Sequence, residues 1–214
     1  MKILVSISAA IGLCAIAAFF TLLFFHKFLL LEFFMGPSFS YSDYQLMLAV
    51  SHGDDVQAEV ALKNGADPNH LGLANETQLM MASQNGDVKS AEVLLKHGAK
   101  PDLKNEVGYT ALMIASQFYR PEIDKMAKVL LEHGANPNLK ADSDDAKSMG
   151  TEGYTALMIA CRGSTFEMVQ ILLDHGADPR CVGADGKTAL DIAKQRSAPQ
   201  QREPMVKLLE QKLK

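Results

Sequence analysis

The residue types able to do chemistry in this chain are six histidines, three cysteines and one dense run of carboxylates. Their spacing argues against the obvious uses. His97, His133 and His175 each stand one residue before a glycine, at the same point of a recurring pattern. Side chains at equivalent points of stacked units form a line rather than converge. They are badly placed to share a metal or to act together on one substrate. A histidine near a helix C-terminus can instead bond free carbonyls and complement the dipole, which is the predicted role. The run Asp142-Ser143-Asp144-Asp145 alternates its carboxylates but lacks the central glycine and late glutamate of a calcium loop, so it reads as a solvated acidic loop. Cys14 lies in an apolar stretch, Cys161 ends a predicted helix and Cys181 follows in a turn. Three cysteines make no disulfide framework. The last two read as separate free thiols, although an oxidising compartment would permit a bridge. No G-x-x-x-x-G-K-[ST], G-x-S-x-G or C-x-x-C pattern occurs. Beyond residue 36 there are 19 Lys and Arg against 24 Asp and Glu, and no basic stripe for nucleic acid. The sequence therefore predicts no enzyme, no cofactor, no metal, no small-molecule substrate and no nucleic-acid partner.

The elements that hold these residues are set by a repeat. Thr77-Gln78-Leu79-Met80-Met81-Ala82 returns as a variant at Thr110, Thr155 and Thr188, at spacings of 33, 45 and 33 residues. A second signature runs in phase with it, at Gly65-Ala66-Asp67-Pro68-Asn69, Gly98-Ala99-Lys100-Pro101-Asp102, Gly134-Ala135-Asn136-Pro137-Asn138 and Gly176-Ala177-Asp178-Pro179-Arg180. Threonine is a good N-cap, because its hydroxyl accepts from an otherwise orphan backbone N–H. Leu and Ala then recur at helical spacing. A polar break such as Asn85-Gly86-Asp87 leads into a second apolar run. The closing glycine suits the left-handed position past a helix end, and the proline beyond it cannot continue the helix. Each unit is helix, turn, helix, extended turn, and buries its faces only by stacking on neighbours.

These motifs resemble the ankyrin-repeat family, whose units of about 33 residues open T-P-L-H-x-A and close G-A-D-x-N. The resemblance covers residues 41–214 and implies an all-α solenoid of about five helix-turn-helix repeats: 41–70, 71–102, 103–138, 139–180 and 181–214. The first is degenerate and the last, with Lys194, Lys207, Lys212 and Lys214, reads as a polar cap. The family's proline is Gln78, Ala111, Ala156 or Ala189 here, and its histidine is Met80, Met113, Met158 or Asp191. Losing that histidine removes a brace between units and predicts a less rigid array. The three methionines read as core between repeats.

The resemblance implies that the chain binds another protein along its concave face. Carried over, the groove-facing positions are Leu73, Glu76, Gln84 and Asn85, then Glu106, Val107, Tyr109, Gln117 and Phe118, then Thr151, Glu152, Tyr154 and Arg162. Exposed aromatic and arginine side chains are favoured anchors. Tyr109, Phe118, Tyr119, Tyr154 and Arg162 therefore rank first, with padding of a neighbouring turn as the other reading of the two repeat tyrosines. Two insertions add candidates, since solenoid insertions map to loops. One falls at Phe118-Tyr119-Arg120-Pro121-Glu122. The other falls within 140–151 and brings Asp142, Asp144 and Asp145.

Residues 1–36 are a different material. Eight of the ten phenylalanines precede residue 40, and the 23 residues from Ile3 to Phe25 carry no charge. As a helix they reach roughly 34 Å, against a hydrocarbon core of about 30 Å. A cleaved signal peptide has a shorter apolar core and a small-residue cleavage site. This run ends Thr21-Leu22-Leu23-Phe24-Phe25 and reads as an uncleaved, single-pass signal anchor through residues 3–25. Lipid attachment at Cys14 is a poorer match, because Leu13 stands where a small residue is usual. The flanking charges, Lys2 against His26 and Lys27, give a slight bias. It favours residues 37–214 outside the cytoplasm, which in a bacterium is the periplasm, with the cytoplasmic side as the alternative. Bacterial anchored ankyrin proteins of this size resemble immunity proteins that neutralise toxic effectors in the envelope. An assembly or stress-protection factor for an envelope enzyme is the second expectation.

Overall fold

In a computed structural model the described residues are 40–117 and 122–214. The predicted membrane helix and the site candidates Phe118, Tyr119 and Arg120 lie outside them. Among the described residues no helix is long and apolar enough to cross a membrane.

Eleven α-helices fall in five pairs plus one extra among the described residues. The first helix of each pair is α1 (Tyr41–His52), α3 (Gln78–Asn85), α5 (Ala111–Gln117), α8 (Ala156–Gly163) and α10 (Ala189–Lys194). The second is α2 (Asp55–Lys63), α4 (Val88–Lys96), α6 (Ile123–Glu132), α9 (Phe166–Asp174) and α11 (Pro199–Lys212). From α3 onward, first helices stack on first helices and second helices on second. Ser42–Lys214 is one compact unit with a continuous apolar core.

Local chemistry explains each boundary. Thr77, Thr110, Thr155 and Thr188 accept at their hydroxyls from the N–H three residues on, at 3.2, 3.3, 3.5 and 3.3 Å. The closing glycines Gly65, Gly98, Gly134 and Gly176 have φ of +90°, +89°, +87° and +87°, where a Cβ would be strained. His133 and His175 donate from Nδ1 to the carbonyls of Val129 and Ile171, at 2.9 and 2.8 Å, as predicted for helix C-termini. His97 caps the end of α4 and lies 3.7 Å from the Glu59 carboxylate.

From α3 onward each first helix packs against its own second helix and at least one neighbouring first helix. That is why Met80, Met113 and Met158 are buried with Leu79, Leu112 and Leu157. The methionines are core, as expected. Their substitution for histidine does not leave the caps bare. Met80 Sδ accepts from Thr77 N–H at 3.5 Å, and the Asp191 carboxylate accepts from both the N–H and the hydroxyl of Thr188.

The closing signature ties one repeat to the next. Asp67, Asn136 and Asp178 turn their carboxylate or amide oxygen to the N–H two residues ahead, fixing the turn. Asn69 donates to Gly98 O and accepts from Lys100 N–H, at 3.1 and 2.7 Å. Asp102 accepts from Asn136 N–H. Asn138 donates to Gly176 O and accepts from Asp178 N–H, at 2.9 and 2.7 Å. In the first repeat the buried Asp43 of α1 takes over, accepting from Asp67 N–H.

The acidic insertion corrects its expectation. It is not a plain solvated loop but contains a short helix, α7 (Asp144–Ser148), N-capped by Ser143. Ala146 is buried, and Thr151 N–H closes back on its carbonyl. Two aspartates in the first turn suit the helix N-terminus, which is why the run folds.

Asn138→Ala removes two bonds between repeats and is expected to lower the unfolding free energy by about 1–2 kcal/mol. Arg180→Ala, at the same point of a repeat that no later closing turn follows, should shift it by less than about 0.5 kcal/mol. Urea denaturation of both variants checks the difference.

Candidate protein-binding surface

The extended turns before each threonine project as fingers, and the face they share with the first helices is where the candidate positions fall. Two finger contacts are backbone bonds: Glu106 N–H to Ala74 O and Ala184 N–H to Glu152 O. The junction between the third and fourth repeats differs, because Thr151 N–H is used by the insertion. There Lys104 Nζ donates to Lys140 O at 2.9 Å and to the Asp142 carboxylate at 2.7 Å.

Tyr109 and Tyr154, ranked as exposed anchors, are buried, with 3% and 4% of their surface exposed. The cause is the next finger. Tyr109 donates to Thr151 Oγ1 at 2.8 Å, and Tyr154 donates to Asp185 Oδ2 at 2.9 Å. Each ring is a strut from one repeat to the following one. A Cβ on Gly183 would lie 2.8 Å from the Tyr154 ring, and one on Gly153 would lie 2.9 Å from Ala184 N. Burial and the Asp185 bond push the Tyr154 phenol up to about 12. Burial alone would raise Asp185, but the bonds from Tyr154 and Lys187 outweigh it and hold its carboxyl low. Thr151, placed in the groove by the carry-over, is also buried, since it receives the Tyr109 hydroxyl.

The remaining candidates separate into two places. Gln117 and Arg162, equivalent ends of α5 and α8, line one cavity of 430 Å³ with Tyr109, Met149 and Ile159. Arg162 is exposed and makes no hydrogen bond or ion pair with a described residue. It also lines an adjoining cavity of 460 Å³ with Tyr154, Asp185, Lys187, Gln195 and Arg196. Asp142, Asp144 and Glu152 instead line a third cavity of 630 Å³ with Lys140 and Val182, along the sides of the fingers. Asp145 is exposed on α7. Leu73, Gln84, Asn85 and Glu106 are exposed, as the carry-over implied.

The sequence reading missed Met149, Lys187, Gln195 and Arg196. A signal existed for Gln195: it stands seven residues after its threonine, like Gln84, Gln117 and Arg162. Met149, 52% exposed, is the one large apolar residue of a polar insertion. Cys161 occupies the position of the buried Ser83 and Ser116, and burial pushes its thiol up to about 12.

Profiles of the ankyrin-repeat family match the chain twice, one described as ankyrin repeats (3 copies) over residues 46–141 and one as ankyrin repeats (many copies) over residues 149–193. The chain belongs to the ankyrin-repeat family. Ankyrin repeats form modules for protein–protein interaction, and no enzyme family matches. Among curated proteins none matches the chain. In this ankyrin-repeat protein the turn-borne fingers and the ends of the first helices carry exposed polar positions, while the apolar stretch of each helix serves the stack.

The struts make a prediction. Tyr154→Ala should cost about 3–5 kcal/mol of stability, and Tyr154→Phe, which loses only the bond to Asp185, about 0.5–1.5 kcal/mol. Gly183→Ala should destabilise the native chain but cost much less in the Tyr154→Ala background. Thermal melts of the four variants test this; equal costs of Gly183→Ala in both backgrounds would show that the ring does not set that position.

Proposed function

We propose that the chain is a protein-binding module held at a membrane by residues 3–25, taking its partner on the face built by the first helices and fingers. The observation that carries this reading is the division of labour along the first helices. Their Ala, Leu, Met and Ile side chains are consumed by the stack, while the residues at their ends, Gln84, Asn85, Gln117 and Arg162, stay polar and at least partly exposed. A surface that contributes nothing to the fold is free for recognition, and in a solenoid it is extended.

The uncharged run from Ile3 to Phe25 supports the anchor, and the flanking charges favour the repeats outside the cytoplasm, in the periplasm of a bacterial cell. Within that setting the narrower reading is an immunity protein that sequesters a toxic effector of the envelope. It rests on the resemblance to anchored ankyrin proteins of similar size.

Alkaline carbonate extraction tests the anchor. The full chain is expected to stay in the membrane pellet and a chain lacking residues 1–36 in the supernatant; release of the full chain would remove the anchor from the proposal. Affinity capture with the tagged full chain, followed by mass spectrometry, tests binding. One dominant protein, lost on Arg162→Glu, is the expected outcome. A toxin as that protein supports the immunity reading, an envelope enzyme supports an assembly factor, and an empty capture overturns the module.

A further inference from the structure

The chain carries a formal charge of −4, yet the groove beside Arg162 is cationic. Among the described residues, the first of the two adjoining cavities has Arg162 as its one charged lining residue, with Met149 and Ile159 beside it. The second has Arg162, Lys187 and Arg196 against the single carboxylate of Asp185. That carboxylate is already engaged by the Tyr154 hydroxyl and by Lys187 Nζ at 3.2 Å. Arg196 donates to the Cys161 carbonyl at 3.4 Å, which leaves most of its guanidinium unclaimed. Two guanidinium groups therefore face the groove without a carboxylate of their own, one of them flanked by an apolar recess. Arginine forks suit bidentate binding of carboxylates, and a planar guanidinium is a favoured interface anchor.

We propose that this part of the groove binds an extended acidic segment of a partner protein, with one carboxylate on Arg162, an aliphatic side chain in the Met149–Ile159 recess and a second carboxylate toward Arg196. The inference rests on the binding-module reading and names the chemistry of its partner. Charge complementarity chooses the occupant. The surrounding surface is acidic, with Asp142, Asp144 and Glu152 along the finger sides, so a long polyanion such as nucleic acid is repelled beyond the groove. A short acidic stretch with an apolar residue inside it fits both the two cations and the recess, and the opposed charges speed its docking.

Selection from a phage-displayed library of random 12-residue peptides, with the immobilised full chain as bait, tests this. Enriched peptides should carry two or more Asp or Glu around an aliphatic residue. The strongest, synthesised with a fluorescent label, should lose at least tenfold in affinity by anisotropy with Arg162→Glu, and less than twofold with Lys63→Glu at the far end of the array. Arg162→Gln, which cannot repel, should also weaken binding, with helical circular dichroism and melting unchanged in all variants. Neutral or basic winners, no enrichment, affinity indifferent to Arg162, or equal displacement by a 20-nucleotide single-stranded DNA would each overturn the proposal. The peptide should also displace the captured cellular partner. A partner that is retained in the peptide's presence sinks the acidic reading alone, whereas an empty capture sinks the binding module itself.

Discussion

Two residues beyond a closing glycine, the backbone N–H has no acceptor within its own turn, and an upstream side chain supplies one, from α1 in the first repeat and from the repeat before in the next three. Asp43, Asn69, Asp102 and Asn138 serve Asp67, Lys100, Asn136 and Asp178 in succession. Each such bond contributes about 0.5–1.5 kcal/mol net, and from the second repeat on it ties a unit to its predecessor. The close-packed ridges of Ala, Leu and Met hold the helices together, and the polar bonds add a directional tie at each step. These polar bonds have one solution each. Everything on the groove face, including the finger positions and the cavities beside Arg162, inherits its geometry from that relay.

The tyrosine struts are the relay's counterpart at the fingers. Tyr109 and Tyr154 each send a hydroxyl into the next repeat, and the two acceptors differ because the junctions differ. At the last junction the acceptor is Asp185, and the ring lies so close that Gly183 has no room for a side chain. At the third the acceptor is Thr151, the residue that ends the insertion. The insertion is thus fastened at both ends, by Lys104 at Asp142 and by Tyr109 at Thr151, with the short helix α7 between them.

Most of the fold was legible in the residues. Thr at the cap, Leu and Ala at helical spacing, and Gly-Ala-x-Pro at the close each fix one local conformation, and their recurrence fixed the stack. Met80, Met113 and Met158 read correctly as core because an apolar residue on the third helical position has one enclosed side available. For Tyr109 and Tyr154 the padding reading held and the exposed-anchor reading did not. Their position is exposed in a lone finger and becomes buried only when the next finger packs over it, which is a property of two repeats rather than one. Gly183 was the trace of that contact in the sequence. The acidic insertion misled for a related reason: its composition is that of a loop, but Ser143 caps it and Ala146 finds a buried place, so it folds. Arg162 and Gln117 were legible from their position. Their isolation from carboxylates was not, because it depends on Asp185 being engaged elsewhere.

At the two ordinary finger contacts the tie is a backbone amide bond, short and stiff, between Glu106 and Ala74 and between Ala184 and Glu152. At the junction carrying the insertion it is a lysine side chain on a four-carbon stem, gripping a carbonyl and a carboxylate. A tether of that kind holds distance loosely and tolerates twist. Gln117 and Arg162 sit on the two sides of this joint, where the Tyr109–Thr151 strut and the two Asn138 bonds still bind repeat to repeat. The cationic stretch lies one junction further on, where Lys187 and Arg196 line the groove beside Arg162 and the finger tie is a backbone bond.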